Sequence, residues 1–187
     1  MNPAPSAHGF RRAVFFDRDG TLNHLVHRPG FRIRGEDVPY TAPFCVEELR
    51  LIEGVAEVIS EVRRRGYLVI VITNQPDVAN GFIAPDEYAK LVQTFRNLVS
   101  VDDFSACMHR PDAGCACRKP SPELILRAAE RHRIDLSSSF MVGDMESDMR
   151  AGHAAGVSTV LITKDLSRAS IARYRAKHVR GILPLIK

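Results

Sequence analysis

The sequence predicts a doubly wound, Rossmann-like α/β fold, a mostly parallel sheet with helices on both faces. Short apolar runs rich in β-branched residues alternate with stretches whose apolar residues recur at helical spacing, and polar residues cluster directly after the runs. Strands of a parallel sheet read as near-continuous apolar runs because crossover helices cover both faces. Ligands in such sheets bind beyond the carboxyl ends of the strands, so function is sought in the residues that follow each run.

Residues 1–10 are polar and Pro-containing, and are expected to form a flexible tail. The first strand is residues 12–16, with Ala13-Val14-Phe15-Phe16 running into Asp17-Arg18-Asp19-Gly20-Thr21. Residues 54–65 set Val55, Val58, Ile59 and Val62 at helical spacing and stop at Gly66, a natural C-terminal cap. Residues 67–73 are the second strong run, and 85–99 the next helix, opening at Pro85 with Asp86 and Glu87 in its first turn. Ser121 caps a helix whose apolar face includes Leu124, Ile125, Ala128 and Ala129. Strands at 139–143 and 157–163 follow, and a last helix over 168–178 precedes a short final strand around 181–186. Residues 11–187 thus read as one domain.

Of the 187 residues, 45% are hydrophobic and 26% charged, which excludes a disordered chain. No apolar stretch approaches a membrane span and no apolar leader segment opens the chain, so no membrane partner and a cytoplasmic location are expected. The net charge of +4 arises largely from scattered arginines that a solvated helix face explains as well as an anionic partner does; nucleic acid is an unlikely partner. Three of the four cysteines lie within residues 107–117, which suits a metal site better than a disulfide framework.

After the first strand, Asp17 and Asp19 can point the same way, with Arg18 between them pointing the other. Gly20 permits a sharp turn and Thr21 adds a hydroxyl. Thr73-Asn74-Gln75 follows the second run, Arg118-Lys119-Pro120 precedes the helix capped by Ser121, and Gly143-Asp144 with Asp148 follows the third run. Each piece alone is an ordinary turn, cap or surface charge. Together they deliver acids, hydroxyls and cations to one rim of one sheet.

The pattern Asp-x-Asp-Gly-Thr, Thr-Asn, Lys, Gly-Asp-x-x-x-Asp over residues 12–163 resembles the haloacid dehalogenase (HAD) superfamily of phosphohydrolases. The Thr-Asn-Gln, Arg-Lys-Pro and cysteine-histidine segments are similar to its small branch without a large cap domain, which includes D-glycero-D-manno-heptose 1,7-bisphosphate 7-phosphatases and histidinol-phosphate phosphatase domains. The resemblance implies Asp17 as nucleophile, forming an aspartyl-phosphate, and Asp19 as the acid that protonates the leaving alkoxide and then deprotonates water. It implies Mg²⁺ held by the Asp17 carboxylate, the Asp19 carbonyl and the Asp144 carboxylate, with Asp148 beside it. Thr21, Thr73, Asn74 and Lys119 would meet phosphoryl oxygens, and Arg118 another part of the substrate. The implied substrate is a small phosphorylated metabolite, a heptose 1,7-bisphosphate first and histidinol phosphate second, and the protein a monomer or small homo-oligomer. One departure stands out: where the heptose enzymes resemble Gly-Asp-Lys, this chain has Gly143-Asp144-Met145. A non-catalytic receiver-like phospho-acceptor is the reading from another class, but it has no use for Asp19.

Cys107-x-His109 and Cys115-x-Cys117 give four ligands for tetrahedral Zn²⁺. No coordination position would remain open, so the ion is expected to be structural, stapling the 107–117 loop beneath Arg118 and Lys119. The stretch 23–51 contains His24, His27, Arg28, Arg32, Arg34 and Tyr40. It is expected to be either a partial cover that selects the leaving group through those arginines, or a loop for disorder or oligomer contact.

Overall fold

The computed structural model describes residues 9–186. In chain order it contains β1 (Arg12–Phe16), β2 (Val26–His27), β3 (Arg32–Ile33), β4 (Glu36–Asp37), β5 (Tyr40–Thr41), α1 (Val55–Arg64), β6 (Tyr67–Asn74), α2 (Pro85–Leu98) and β7 (Asp103–Cys107). Then follow α3 (Glu123–His132), β8 (Phe140–Gly143), α4 (Glu146–Ala155), β9 (Ser158–Ile162) and β10 (Tyr174–Ala176). Six strands form one parallel sheet in the order β10-β9-β8-β1-β6-β7. The doubly wound architecture expected from the run-and-helix alternation is present.

Alternation of side chains explains why the central runs are apolar throughout. Val14, Phe16, Val69 and Val71 face Val58, Val62, Leu91 and Phe95 of α1 and α2. Ala13, Phe15, Leu68, Ile70 and Ile72 face Leu124, Ile125 and Ala128 of α3 and Ala151 and Ala155 of α4. Fully burying a side chain of the valine-to-phenylalanine class contributes roughly 1.5–3 kcal/mol, so this double-sided core is what holds the strand ends in place.

Four departures from the sequence reading have physical reasons. Residues 168–178 are not a helix: Tyr174–Ala176 pairs with β9 as an edge strand, because an uncovered parallel strand offers backbone partners that a segment without a continuous apolar stripe cannot match by helix packing. The final strand at 181–186 is replaced by a 3₁₀ turn over Val179–Ile182 that sends Val179 and Ile182 into the core. The edge strand β7, Asp103-Phe-Ser-Ala-Cys107, escapes a hydrophobic-run criterion since it is half-polar. Helix α4 escapes the periodicity criterion because it packs with small residues: a Cβ on Gly152 would lie 2.7 Å from Thr159 Cγ2 and 2.8 Å from Met141 Cβ. The expected tail lies outside the described residues except for Gly9 and Phe10, both exposed. Among the described residues no helix is long and apolar enough to cross a membrane.

The 23–51 stretch is built rather than irregular. Strand β2 pairs antiparallel with β5, and β3 with β4, making a nested hairpin. Phe31 lies edge-on to Phe44 and Phe82, at ring-centroid distances of 5.7 and 5.1 Å, which fastens the hairpin onto the segment after β6.

Candidate active site

Strand β1 ends at Asp17, whose N–H still donates to Val142 O of β8 at 2.9 Å; the chain then turns back. The turn is tight because the Arg18 carbonyl accepts from both Leu22 and Asn23 N–H groups. Gly20 sits at φ +85°, and a Cβ there would fall 2.3 Å from Asp144 Oδ2. Only glycine therefore lets the loop after β1 and the loop after β8 approach closely enough to join their carboxylates.

Carboxylate oxygens of Asp17, Asp144 and Asp148 lie within 4.8 Å of one another. Lys119 reaches in from the start of the α3 segment, its Nζ 2.6 Å from both Asp17 Oδ1 and Asp148 Oδ1 and donating to Ile72 O at 2.9 Å. Burial penalises the Lys119 charge, yet the two carboxylates outweigh it and push the ammonium up to about 12. Burial raises Asp17 to about 7 despite the opposing Lys119, with Asp148 and Asp144 adding repulsion. It raises Asp144 to about 6, with Asp148 next in importance. One lysine among three acids leaves excess negative charge in a buried place, and hard oxygen donors in such a cluster suit a divalent cation.

The site residues read from sequence are brought together with three shifts of role. Thr21 is buried and its hydroxyl faces Asp144 Oδ1 at 3.4 Å, so it touches an acid rather than open cleft. Asn74 pairs both ways with the Lys119 backbone, accepting from N at 3.1 Å and donating to O at 3.2 Å, and so anchors the lysine. Arg18, expected to point away, instead folds back on its neighbour: Nε and Nη2 donate to Asp19 Oδ1 and Oδ2 at 3.0 and 2.9 Å. An isolated strand would splay these side chains, but the turn after Asp17 ends the alternation, and the carboxylate offsets the cost of burying the guanidinium.

A cleft of about 220 Å³ opens over Asp17, Asp19, Thr73, Lys119 and Asp148, with Met145 and Ser147 on its α4 side. Asp148 is fully buried and caps α4 by accepting from Met145 N–H at 3.1 Å. Arg118 lines both this cleft and a neighbouring cavity of about 430 Å³ bounded by Ile33, Arg34, Val38 and Pro111, and its Nη1 has no partner among the described residues. The arginines of the hairpin are already paired: Arg28 with Glu48, Arg32 with Asp37 at 2.8 Å, and Arg34 with Asp112 at 2.9 Å. Of the expected arginines, Arg118 is thus the one that lines the cleft.

Gln75 and Asn23 join the site only through the fold. Gln75 stands inside the noticed Thr-Asn-Gln triplet, but its contact with Asp19 crosses from β6 to β1, which no linear spacing displays.

Beside the cleft, Cys107, His109, Cys115 and Cys117 converge. Sulfur–sulfur distances are 3.6 Å for Cys107–Cys115 and 3.8 Å for Cys115–Cys117, and His109 Nδ1 is 3.6 and 3.3 Å from Cys107 and Cys117. A tetrahedral zinc ion demands edges of about 3.8 Å between sulfurs and about 3.5 Å between sulfur and nitrogen, so the residues fit that ion. Burial and the neighbouring thiol push Cys107 up to about 12, a value that coordination to a cation would reverse.

The HAD-hydrolase-like family model matches residues 116–183. The chain is 32% identical over 183 residues to the D-glycero-beta-D-manno-heptose-1,7-bisphosphate 7-phosphatase of Helicobacter pylori, covering 94% of this chain and 97% of that protein. It is 34% identical to the D-glycero-alpha-D-manno-heptose-1,7-bisphosphate 7-phosphatase of Photorhabdus laumondii, covering 84% and 85%. In fold it is similar to the D,D-heptose 1,7-bisphosphate phosphatase of B. bronchiseptica, solved with magnesium and phosphate, with a TM-score of 0.78 at 24% identity over 93% of this chain and 97% of that one. The chain belongs to the D-glycero-D-manno-heptose-1,7-bisphosphate 7-phosphatase family of HAD-like hydrolases.

Proposed function

We propose that the protein is a Mg²⁺-dependent phosphomonoester hydrolase that removes the 7-phosphate of D-glycero-D-manno-heptose 1,7-bisphosphate. The observation that carries this reading is the buried Asp17 carboxylate at the floor of an open cleft, 2.6 Å from Lys119 and grouped with Asp144 and Asp148. The relatives' names supply the substrate, and both anomers occur among them.

In the first displacement an Asp17 oxygen attacks phosphorus, the bond from phosphorus to the ester oxygen breaks, and Asp19 gives its proton to that oxygen. In the second, Asp19 takes a proton from water as the water oxygen attacks the aspartyl-phosphate, which regenerates both carboxyl groups. Lys119 neutralises charge on Asp17 and on the transferring phosphoryl group, and the Thr73 hydroxyl donates to one of its oxygens. Mg²⁺, held by Asp17, the Asp19 carbonyl and Asp144 with Asp148 behind them, would screen the acids from the phosphate dianion and orient it. Arg118 would meet the remainder of the substrate in the adjoining cavity. Zn²⁺ on Cys107, His109, Cys115 and Cys117 would fix the loop that leads into Arg118 and Lys119.

The test is phosphate release from both heptose 1,7-bisphosphate anomers, histidinol phosphate and a nucleotide, with and without Mg²⁺, by the native protein and by Asp17→Asn. The expectation is a heptose preference and a loss of more than about a thousandfold in the variant. Near-normal turnover by Asp17→Asn would refute the mechanism, and a preference for histidinol phosphate would replace the substrate.

A further inference from the structure

Asp19 stands in a cage of four donors. Its Oδ1 accepts from Arg18 Nε at 3.0 Å and from Asn23 Nδ2 at 2.9 Å; its Oδ2 accepts from Arg18 Nη2 at 2.9 Å and from Gln75 Nε2 at 2.5 Å. An ionised carboxylate offers about four lone-pair sites, so the four donors match the form left after the proton has gone, and one of them turns aside while Asp19 carries it. Its members are themselves buried: Arg18, Asn23 and Gln75 are each no more than 1% exposed. Gln75 ties the cage together, since its Oε1 accepts from Arg18 Nη2 at 2.9 Å and its Nε2 also donates to Thr73 Oγ1, likewise at 2.9 Å. The amide therefore links the acid after β1, the guanidinium beside it and the hydroxyl at the end of β6.

We infer that Gln75 is a positioning residue for proton transfer by Asp19: with Arg18 it holds the carboxylate in a preorganised donor cage that receives the negative charge left when the proton passes to the leaving oxygen. This rests on the hydrolytic reading above and deepens it. A partly buried carboxylate losing a proton without such donors would have to wait for solvent to supply all of them, whereas here most of the dipoles already point at the oxygens. Arg18 supplies the charge and two of the bonds. Gln75 supplies the fourth bond and keeps the guanidinium in the plane of the carboxylate, for which a bidentate contact is required.

Proton donation matters in proportion to the basicity of the leaving group. An alkoxide needs the proton as the ester bond breaks; a nitrophenolate does not. The kinetic signature of Gln75 is therefore a dependence on the leaving group, read in kcat/KM, which reports the steps up to departure of the alcohol.

The experiment measures kcat/KM for a series of phosphate monoesters, from p-nitrophenyl phosphate through phenyl phosphate to alkyl phosphates, with the native protein, Gln75→Met and Asp19→Asn. Gln75→Met keeps the length of the side chain and removes all three polar contacts. The fall for alkyl esters is expected to exceed the fall for the nitrophenyl ester by about tenfold or more, the size of one lost buried hydrogen bond to a charged group, and Asp19→Asn to show the same trend more steeply. An equal fall for every ester would mean that Gln75 acts only through Thr73 on the phosphoryl group, and would overturn the inference. If Gln75→Met does not fold, Gln75→Glu serves: it keeps the acceptor for Arg18, replaces the donor to Asp19 by a repelling oxygen, and is expected to give the same leaving-group selectivity; a uniform fall there overturns the inference equally. Failure of the hydrolytic reading itself looks different, since the native protein would then release phosphate from none of the esters.

Discussion

Replacing Lys119 with Met removes the cation buried between Asp17 and Asp148 while keeping most of the volume of the side chain. The Lys119 side chain is 3% exposed, its Nζ is 2.6 Å from carboxylates at the end of β1 and in the first turn of α4, and Asp17 and Asp148 have no other cation at that distance among the described residues. Breaking a buried pair by removing one partner costs about 3–5 kcal/mol, because the remaining charges stay desolvated and unpaired. The acids can limit that loss by taking up a proton, and this sets the sign of the pH dependence. Lys119 is raised above its ordinary value, so its contribution is complete below that value and is lost only as pH rises through about 12; it stays charged throughout the working range. Asp17 is raised to about 7, so its ionisation opposes folding progressively as pH climbs from the ordinary aspartate value towards 7. The variant should accordingly lose about 3–5 kcal/mol at pH 8 and clearly less at pH 5, where Asp17 and Asp144 are largely neutral and call for less compensating charge. Urea unfolding of the metal-free protein and variant at the two pH values measures this. A loss below about 1 kcal/mol at pH 8, or the same loss at both, would refute the view that Lys119 is held there by uncompensated acid charge.

The same raised acids make cation binding compete with protons: the Mg²⁺-induced rise in melting temperature should be large at pH 8, shrink as pH falls through 7 and 6, and nearly vanish at pH 5, a trend that calorimetry at fixed Mg²⁺ would contradict if it came out flat. Gly20→Ala places a methyl 2.3 Å from Asp144 Oδ2 at a left-handed φ; it should cost roughly 1–2 kcal/mol and weaken Mg²⁺ affinity at least about tenfold in isothermal titration, with unchanged affinity counting against the close approach. Cys115→Ser should lower zinc content by elemental analysis and speed proteolysis of the 107–117 segment, and a fully retained stoichiometric zinc would remove Cys115 from the ligand set.

Much of this protein is written in local pattern. The runs at 12–16, 67–73, 139–143 and 157–163 read as buried parallel strands, because strands covered on both faces need apolar residues at every position. Once they are strands, Asp17, Thr73 and Asp144 must emerge at one rim, and the paired spacings at 107–117 already pick out the four side chains that converge there. What the sequence leaves open is every relation that depends on two segments meeting. The backbone partner for Tyr174–Ala176 exists only because β9 lies exposed beside it, so a segment that reads as a weak helix is taken by the sheet. The arginines of the 23–51 stretch look free in sequence and are paired in the hairpin, leaving Arg118 facing the cleft. The cage around Asp19 joins residues 18, 19, 23 and 75 across two neighbouring strands. The sequence by itself determined which candidate groups gather and at which end of the sheet. Only the tertiary structure decided how they are held, because hydrogen bonds and ion pairs act over a few ångströms in space and are blind to distance along the chain.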